Sequence, residues 1–358
     1  MKLASEIQTL FPELTISENQ LLSEFTTFRL GGPCPLFIDN PSADQLPALI
    51  KALNEKDVPF LVIGQGSNLV ISDKGLHCAV IRFCSATPKI KTWCGSSEET
   101  HPGLRPPLQR RETLGIPSDG GVPERRGGSL NLSQNNNMRS KSNVVTVSGN
   151  TLLEDLSRIT VEKNIGDLSY CTGIPGTVGG GIAGNAGAFG RQIGDHLVSA
   201  EIIDLNGDVQ TVTRDQLGFA YRHSILKETG EIVLSATFEL PIEDPAILKA
   251  ERERILEFRA EHHPDWHILP CAGSVFRNIE ATSAAERRQA AGHFLEESGA
   301  QTMQVGGANI FEKHANIIIG GDSCTAQNVW DISEQMVAAV HQKFDLELIR
   351  EVRFLGKF

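Results

Sequence analysis

Apolar residues take up a helical spacing early in the chain. Ser42 can form a capping box with Gln45, which is a helix-start signal. The apolar positions that follow stand at i, i+3, i+4 and i+7, as Leu46, Leu49, Ile50 and Leu53. Residues 59–63 are a continuous apolar run, typical of a buried strand. This part of the chain is therefore predicted to be a helix followed by a strand.

The same two spacings recur to the end of the chain. A hairpin is predicted around Asn206-Gly207, a dipeptide typical of tight turns. Helices are predicted from residue 152 to near 166 and at 245–261, 284–298 and 329–344. Strands are predicted at 26–32, 144–150, 198–204, 209–213 and 231–240, within 305–321, and at the C-terminus. Interspersed helices and strands predict an α+β protein of more than one domain.

Two glycine-rich segments interrupt these elements. Residues 173–190 read G-I-P-G-T-V-G-G-G-I-A-G-N-A-G-A-F-G, with eight glycines and no charge. Apolar residues such as Ile182 and Phe189 argue against a flexible linker, and favour a loop that grips a ligand with backbone N–H groups. Residues 64–73, G-Q-G-S-N-L-V-I-S-D, follow a strand without the pattern of a P-loop or Rossmann fingerprint. They fit either a second phosphate-holding loop or a plain turn.

Residues 85–142 differ from the remainder in composition. They hold six prolines, seven glycines, nine Lys/Arg and five Asp/Glu, so this segment carries +4 and the rest of the chain −15. With almost no periodic apolar pattern, it is predicted to be a disordered insertion. A functional basic arm is the alternative interpretation.

Charge and cysteine content narrow the classes of function. The net charge of −11 over 358 residues argues against nucleic-acid or anionic-membrane binding. No apolar stretch suggests a signal peptide or membrane span. Seven scattered cysteines suit reduced thiols in a cytoplasm. The histidines at 262, 263 and 267 lack a partner cluster with zinc spacing, so no metal site is expected.

Eight short motifs, in order, resemble one family. They are T-F-R-L-G-G (27–32), G-Q-G-S-N-L (64–69), G-I-P-G-T-V-G-G (173–180), N-A-G-A-F-G (185–190), Y-R-H-S (221–224), G-S-V-F-R-N (273–278), K-H-A-N (313–316) and E-V-R (351–353). The chain resembles the UDP-N-acetylenolpyruvoylglucosamine reductase (MurB) family from about Thr27 to Gly356. The shorter, type II-like branch is the better match, because no tyrosine follows Tyr221.

The resemblance implies a fold, cofactors and a reaction. The fold would be a two-subdomain FAD-binding module of the PCMH/vanillyl-alcohol-oxidase-like kind, plus a smaller α+β substrate domain. The expected division is 1–84 and 143–240 for the two FAD subdomains, 85–142 for the insertion, 241–350 for the substrate domain and 351–358 for a strand returning to the active site. A cytoplasmic monomer would bind FAD non-covalently, take electrons from NADPH and reduce UDP-N-acetylglucosamine enolpyruvate, a step of peptidoglycan precursor synthesis.

The resemblance also assigns residues to roles. Arg222 would face the enolpyruvyl carboxylate, Ser274 would donate a proton, and Glu351 would help to polarise the substrate. Substrate binding would fall to Tyr221, Arg277, Asn278 and Lys313. Cofactor binding would fall to Gly64, Gln65, Gly66, Ser67, Asn68, Leu69, Gly173, Ile174, Pro175, Gly176, Thr177, Gly179, Gly180, Asn185, Gly187 and Arg353.

Some positions depart from the family, and other functions stay open. His263 replaces the usual Lys or Gln before a proline, and Gln301 and Gln304 replace basic residues, which puts diphosphate binding there in doubt. Without the family, Ser274 reads as a turn residue and Glu351 as a solvated charge. A flavin-dependent alcohol or sugar oxidase and a non-catalytic flavin-binding module are the rival functions. The oxidase leaves Ser274 and Glu351 unexplained.

Overall fold

The computed structural model describes residues 2–85, 87–88, 90–93, 142–280 and 288–358. The helices are α1 (Lys2–Leu10), α2 (Leu46–Asn54), α3 (Leu153–Glu162), α4 (Val178–Ala183), α5 (Leu226–Thr229), α6 (Pro245–His262), α7 (Ala291–Glu297) and α8 (Ala326–Phe344). The strands are β1 (Thr15–Leu21), β2 (Pro33–Asp39), β3 (Phe60–Ile63), β4 (Leu69–Ile71), β5 (Ala79–Arg82), β6 (Ile90–Trp93), β7 (Ser142–Ser148), β8 (Gly187–Ala188), β9 (Arg191–Gln192), β10 (Leu197–Ile203), β11 (Val209–Thr213), β12 (Ile232–Pro241), β13 (Cys271–Ser274), β14 (Gln304–Val305), β15 (Ala308–Ile310), β16 (Ile317–Gly320) and β17 (Arg353–Leu355).

The N-terminal part is a four-stranded sheet in the order β1-β2-β5-β3. The β1–β2 pair is antiparallel, and the other two pairs are parallel. The predicted capping box is confirmed, because the Ser42 N–H donates to Gln45 Oε1 at 2.8 Å and the Gln45 N–H donates to Ser42 Oγ at 3.2 Å. The apolar face of α2 is fully buried in this sheet's core.

The second part is a five-stranded antiparallel sheet in the order β11-β10-β12-β7-β6. The predicted hairpin joins β10 to β11, and Gly207 takes up the left-handed conformation that its turn requires, with φ of 90°. Leu156, Val178 and Ile182 pack into its core, which places α3 and α4 against the sheet.

The third part is the sheet β13-β16-β15-β14, whose core includes apolar residues of α7 and α8. The chain then returns to the N-terminal part, where β17 pairs in parallel with β4. At the start of that pair, the Arg353 N–H donates to the Asn68 carbonyl at 3.0 Å. Asp73 ties the two parts further by accepting from the N–H groups of Ala326 and Gln327 at the start of α8.

Several boundaries differ from the predictions. Residues 94–141 of the predicted insertion lie outside the described residues. Within its proposed start, however, β6 is a regular strand paired with β7, so the prediction of disorder from residue 85 was wrong for residues 90–93. Pairing with β7 stabilises this strand, and the four residues I-K-T-W alone do not indicate it.

Other local predictions were also wrong in part. Residues 26–32 form turns instead of a strand, and neither α1 nor β1 was predicted. The helix expected at 284–298 is Ala291–Glu297, with 288–290 non-helical and 281–287 outside the description. Helix α6, placed in the substrate domain by sequence, packs on α3 through the Arg252–Glu154 ion pair. In the part of the chain that is described, no helix is long and apolar enough to cross a membrane.

Candidate functional site

The first glycine-rich loop, residues 64–69, carries a row of unused donors. The N–H groups of residues 65 to 68 donate to no acceptor within the described chain. Gly66 has φ of 70°, and a Cβ there would lie 2.2 Å from the Phe25 carbonyl oxygen. Consecutive N–H groups in such a bend form a nest for anionic oxygens. The loop therefore fits a phosphate or pyrophosphate.

Side chains of this loop join it to the glycine run, residues 173–190. Gln65 Oε1 accepts from the Gly176 N–H at 2.5 Å, and Ser67 Oγ donates to the Pro175 carbonyl at 2.9 Å. A Cβ on Gly64 would lie 2.6 Å from Thr177 Oγ1. The two segments thus lie side by side, and glycine at position 64 permits that close approach.

Most N–H groups of the glycine run already donate hydrogen bonds to other groups of the protein. Those of residues 173, 174, 176 and 178 to 181 all donate to protein acceptors. Thr177 caps α4 by accepting from the Gly180 N–H at 3.2 Å. The expectation that this run grips a ligand chiefly through free N–H groups is therefore corrected for these positions. Nearby, the buried side-chain hydroxyl of Thr151 has no hydrogen-bond partner in the described structure. The backbone carbonyl of Thr151 accepts from the Val178 N–H.

Asn185 holds the end of the run to the next loop. Its side chain is completely buried, and Nδ2 donates to the Ala220 carbonyl at 2.8 Å and to Gln192 Oε1 at 2.9 Å. Oδ1 accepts from the Gly194 N–H at 3.2 Å. These bonds occupy the polar atoms of the side chain and give Asn185 a structural role, while its predicted cofactor contact stays a prediction. Gly187 is likewise required for packing, because a Cβ there would lie 2.0 Å from the Arg191 carbonyl oxygen.

The Y-R-H-S motif forms a tight turn whose second residue is strained. Arg222 has φ of 54°, a conformation that is uncommon for a residue other than glycine. The turn is anchored to α4 because the buried Ser224 hydroxyl donates to the Ala183 carbonyl at 2.8 Å. Lys227 Nζ donates to the Arg222 carbonyl at 2.7 Å. Strain that is held by surrounding contacts is common at functional sites.

The turn brings Arg222 to Glu351, as the motifs predicted. Arg222 Nε lies 2.9 Å from Glu351 Oε1, although this buried N–H makes no well-aligned hydrogen bond. Burial raises the pKa of Glu351, and the positive charges of Arg222, Lys227 and Arg277 oppose that rise. The pair is also adjacent to the first loop, since Asn68 Nδ2 donates to the Glu351 carbonyl at 3.1 Å.

Ser274 precedes Val275, the residue that is hydrogen-bonded to Glu351. The Glu351 N–H donates to the Val275 carbonyl at 2.7 Å, which fixes the serine strand β13 against the returning C-terminal segment. Ser274 is half-buried, and its hydroxyl has no hydrogen-bond partner in the described chain. Gly273 has φ of 76°, and no atom lies within 4 Å of the point that a Cβ on it would occupy. The space beside the serine is therefore open.

The predicted substrate residues are only partly brought together. Arg277 acts on Glu351 and has a buried, unpartnered Nε. Tyr221 lies beneath Arg288, whose guanidinium carbon is 3.8 Å from the ring centroid, and beside Arg222 at 5.3 Å. Asn278 Oδ1 accepts from the Ala291 N–H at 3.3 Å. Lys313 is exposed, and no contact connects it to the other candidates within the described residues.

The substituted positions also have local roles. Gln301 Nε2 donates to the carbonyls of Phe311 and Glu312, both at 2.8 Å. Gln304 is exposed and donates to the Gly306 carbonyl at 3.3 Å. Burial lowers the pKa of His263 to about 3, with the neighbouring Arg259 adding to the effect. Neutral imidazole is therefore the form at this position near pH 7.

Sequence reasoning missed Lys227, Arg288 and Arg259. Lys227 and Arg288 contact residues of the Y-R-H-S turn. The aliphatic part of the Arg259 side chain passes over Gly173, and its Nε donates to the Thr172 carbonyl at 2.8 Å. Only the position of Lys227 shortly after Y-R-H-S was a signal available in the sequence. Across the residues that are described, no group of three or more His, Cys, Asp or Glu could hold a metal ion.

Comparison with known proteins bears on this geometry. The family described as "UDP-N-acetylenolpyruvoylglucosamine reductase, C-terminal domain" matches residues 263–355, and the family described as "FAD binding domain" matches residues 116–213. The reductase of Clostridium perfringens strain SM101 is 27% identical, with 97% of this chain and 95% of that protein covered. The reductase of Agathobacter rectalis is 28% identical, with 97% and 96% covered.

A solved structure supports the fold. The UDP-N-acetylenolpyruvylglucosamine reductase of Thermus caldophilus superposes with a TM-score of 0.67 at 21% identity, covering 96% of this chain and 100% of that one. This structural similarity shows that the two chains share the same fold, including the arrangement of the three sheet-containing parts.

Proposed function

We propose that the chain is a member of the UDP-N-acetylenolpyruvoylglucosamine reductase family, and that it reduces the enolpyruvyl group of UDP-N-acetylglucosamine enolpyruvate to give UDP-N-acetylmuramate. The observation that carries this proposal is the Arg222–Glu351 pair, at 2.9 Å, adjoining both the serine strand and the first glycine-rich loop. These groups come from three distant parts of the chain, and each matches a need of the reaction.

FAD is the cofactor and NADPH the electron donor. We assign the FAD pyrophosphate to the unused N–H groups of residues 65 to 68, with residues 173–180 beside it. When bound, FAD would supply the hydride that reduces C3 of the enolpyruvyl group, with NADPH as the source of that hydride. The protein residues then have to hold the carboxylate, bear the charge that develops, and deliver a proton.

Arg222 bears the charge. Hydride addition at C3 leaves negative charge at C2 that is delocalised onto the substrate carboxylate, and a fixed cation stabilises this distribution. A guanidinium group can bind a carboxylate in fork geometry. The Arg222 backbone is held by the turn before substrate arrives, so little reorganisation is needed.

Glu351 assists Arg222 in binding the substrate carboxylate, and its protonation state depends on its surroundings. Burial raises its pKa, and a second carboxylate from the substrate would raise it further. In the protonated form its hydroxyl donates to the substrate carboxylate and so shares the developing charge. In the free enzyme, the nearby cations limit the rise of the Glu351 pKa.

Ser274 delivers the proton to C2. Its hydroxyl has no acceptor within the described protein, and it lies next to the hydrogen bond that joins Val275 to Glu351. A serine hydroxyl is a weak acid, so the basicity of the forming carbanion and the fixed geometry provide most of the driving force. Together with the hydride, this proton completes the reduction of the carbon–carbon double bond.

Tyr221, Arg277 and Asn278 contact the remainder of the substrate in this proposal. Arg277 has an unpartnered Nε close enough to Glu351 to affect its pKa, which suits an anionic group of the sugar nucleotide. Lys313 is exposed, and its contact with the substrate stays a prediction from its motif.

We further propose that the enzyme works as a cytoplasmic monomer. The cysteines 34, 78, 84, 171, 271 and 324 are unpaired in the described structure, which suits a reducing compartment. Sedimentation of the purified protein as a single 38.9 kDa species would support the monomer.

An anaerobic experiment tests the reaction. The purified yellow protein is reduced with NADPH, and UDP-N-acetylglucosamine enolpyruvate is then added while the flavin absorbance is followed. Rapid return of the oxidised spectrum is expected. Return only with oxygen would support the oxidase function, and no reduction by NADPH would support the non-catalytic module.

A further inference from the structure

Lys227 directs its ammonium group into the site. It lies in α5, directly after the Y-R-H-S turn, where a lysine side chain would ordinarily extend into water. Its stem instead passes the end of α4, since a Cβ on Gly184 would lie 4.0 Å from Lys227 Cε. Nζ then donates to the Arg222 carbonyl at 2.7 Å.

Charged groups surround this ammonium group. Arg277, Arg353 and Arg222 act on it with positive charge, and Glu351 acts with negative charge. Burial is the largest effect, and together with the three arginines it lowers the pKa of Lys227. Burying a charged ammonium group beside other cations is energetically unfavourable unless a hydrogen bond compensates for the lost solvation. The hydrogen bond from Nζ to the Arg222 carbonyl is the compensating contact that the structure shows.

That carbonyl belongs to the strained residue of the turn. Arg222 is held in the left-handed conformation, while the flanking residues are fixed by other contacts: Asn185 binds the Ala220 carbonyl, and Ser224 binds the Ala183 carbonyl. Neither of these touches Arg222 itself. Among the described residues, only the Lys227 ammonium group binds the Arg222 carbonyl.

We propose that Lys227 is a positioning residue, which fixes the backbone of Arg222 so that its guanidinium group meets the carboxylate of the substrate beside Glu351. The inference rests on the function proposed above, because it needs an anionic substrate at this point. Reduction of FAD by NADPH places no carboxylate at this point, so that half-reaction is expected not to depend on the position of the Arg222 guanidinium group.

The test compares Lys227→Met with Lys227→Arg, and uses Lys249→Met as the matched control, since Lys249 is an exposed helical lysine. Both half-reactions are measured under anaerobic stopped flow. Lys227→Met keeps an unbranched stem but has no charge and no donor. Its reoxidation by UDP-N-acetylglucosamine enolpyruvate is expected to slow by about 10- to 100-fold, while reduction by NADPH changes by less than about 2-fold.

The other variants separate positioning from a merely structural contribution. Lys227→Arg is expected to recover part of the lost reoxidation rate, because it keeps a charged donor. Lys249→Met is expected to match the unmodified enzyme in both half-reactions. Equal slowing of both half-reactions by Lys227→Met, or an unchanged reoxidation rate, would overturn the proposal.

A crystal structure of Lys227→Met gives an answer independent of turnover. The Arg222 φ should leave the left-handed region, or its guanidinium group should leave Glu351. If both stay as they are, Lys227 does not position Arg222. Should the unmodified enzyme fail to be reoxidised by the sugar nucleotide, the proposed function fails, and this crystallographic comparison still decides the role of Lys227.

Discussion

Residues 64–69 and residues 173–190 are both glycine-rich and lie side by side, but they use their backbones in opposite ways. In the first loop, the N–H groups of residues 65 to 68 have no protein acceptor within the described chain. In the run, those of residues 173, 174, 176 and 178 to 181 are all bonded. The first segment therefore offers unused donors, as the proposed binding of an anion requires, whereas the N–H groups of the second are engaged by the protein.

Glycine has a different purpose in each place. Gly66 is needed for its left-handed φ and for contact with the backbone at Phe25. Gly187 is needed because the Arg191 backbone fills the space of its Cβ. Gly190 faces open space and needs only its φ of 76°. A count of glycines therefore locates a close approach without saying whether the neighbour is a ligand or the protein itself.

The largest effect is expected from a substitution in the substrate strand β13, outside both glycine-rich segments. Ser274→Ala should leave reduction by NADPH unchanged, and should slow reoxidation by substrate by about 10²- to 10⁴-fold, the usual contribution of a positioned proton donor. Anaerobic stopped-flow absorbance measures both steps, with Ser5→Ala, an exposed serine, as the control. Equal slowing of flavin reduction would show that Ser274 supports the cofactor region instead.

Gly66→Ala tests the anion nest. A Cβ there would lie 2.2 Å from the Phe25 carbonyl oxygen, so the loop must shift and its N–H groups lose their common direction. The FAD dissociation constant should rise by about 100-fold, as measured by fluorescence titration of the apoprotein. Gly190→Ala is the matched control, because it has the same sign of φ and no atom within 4 Å. Similar losses in both variants would assign the effect to backbone strain alone.

Asn185→Ala tests the structural role of the run. It removes the side-chain hydrogen bonds to the Ala220 carbonyl and to the N–H of the buried Gly194, and leaves that N–H without a partner. The free energy of unfolding should fall by about 3 kcal/mol, measured in urea at a fixed FAD concentration. Asn164→Ala is the control, since Asn164 also has positive φ but is exposed. A large loss of FAD affinity without loss of stability would restore Asn185 as a direct ligand.

Gly180→Ala should have the smallest effect. Gly180 lies inside α4, and the nearest atom to its Cβ position is Thr177 Oγ1 at 3.4 Å. Alanine in a helix interior should stabilise the protein by up to about 1 kcal/mol in thermal unfolding. FAD affinity should stay within about 3-fold. A much larger loss would mean that the cofactor itself occupies the space above Gly180, and the contrast between the two segments would weaken.

Local signals in the sequence predicted much of the fold. Ser42 and Gln45 marked the start of α2, and Asn206-Gly207 marked a hairpin, because each depends on contacts only a few residues apart. Strand β6 and strand β1 escaped prediction since their order comes from pairing with another strand. The residues at 26–32 had a strand-like composition but meet no strand partner within the described structure.

The candidate site divides in the same way. Arg222 and Glu351 were placed together through the order of their motifs, and the structure brings them within contact. Lys227 and Asn185 required the fold, because a lysine or asparagine reveals nothing of its neighbours until those carbonyls are in place. Lys313 was assigned through its motif alone, its side chain is exposed, and its role stays a prediction.

The pairing of β6 with β7 has a consequence for how this gene can change in length. Trp93 and Val144 are opposite each other across an antiparallel pair, so the sheet holds these two residues, which flank the segment 94–141, about 5 Å apart. The free energy of closing such a connection grows only with the logarithm of its length, by about 0.6 kcal/mol per doubling. Codons can thus accumulate at this junction, or be lost from it, while the sheet and the site beyond it are inherited unchanged.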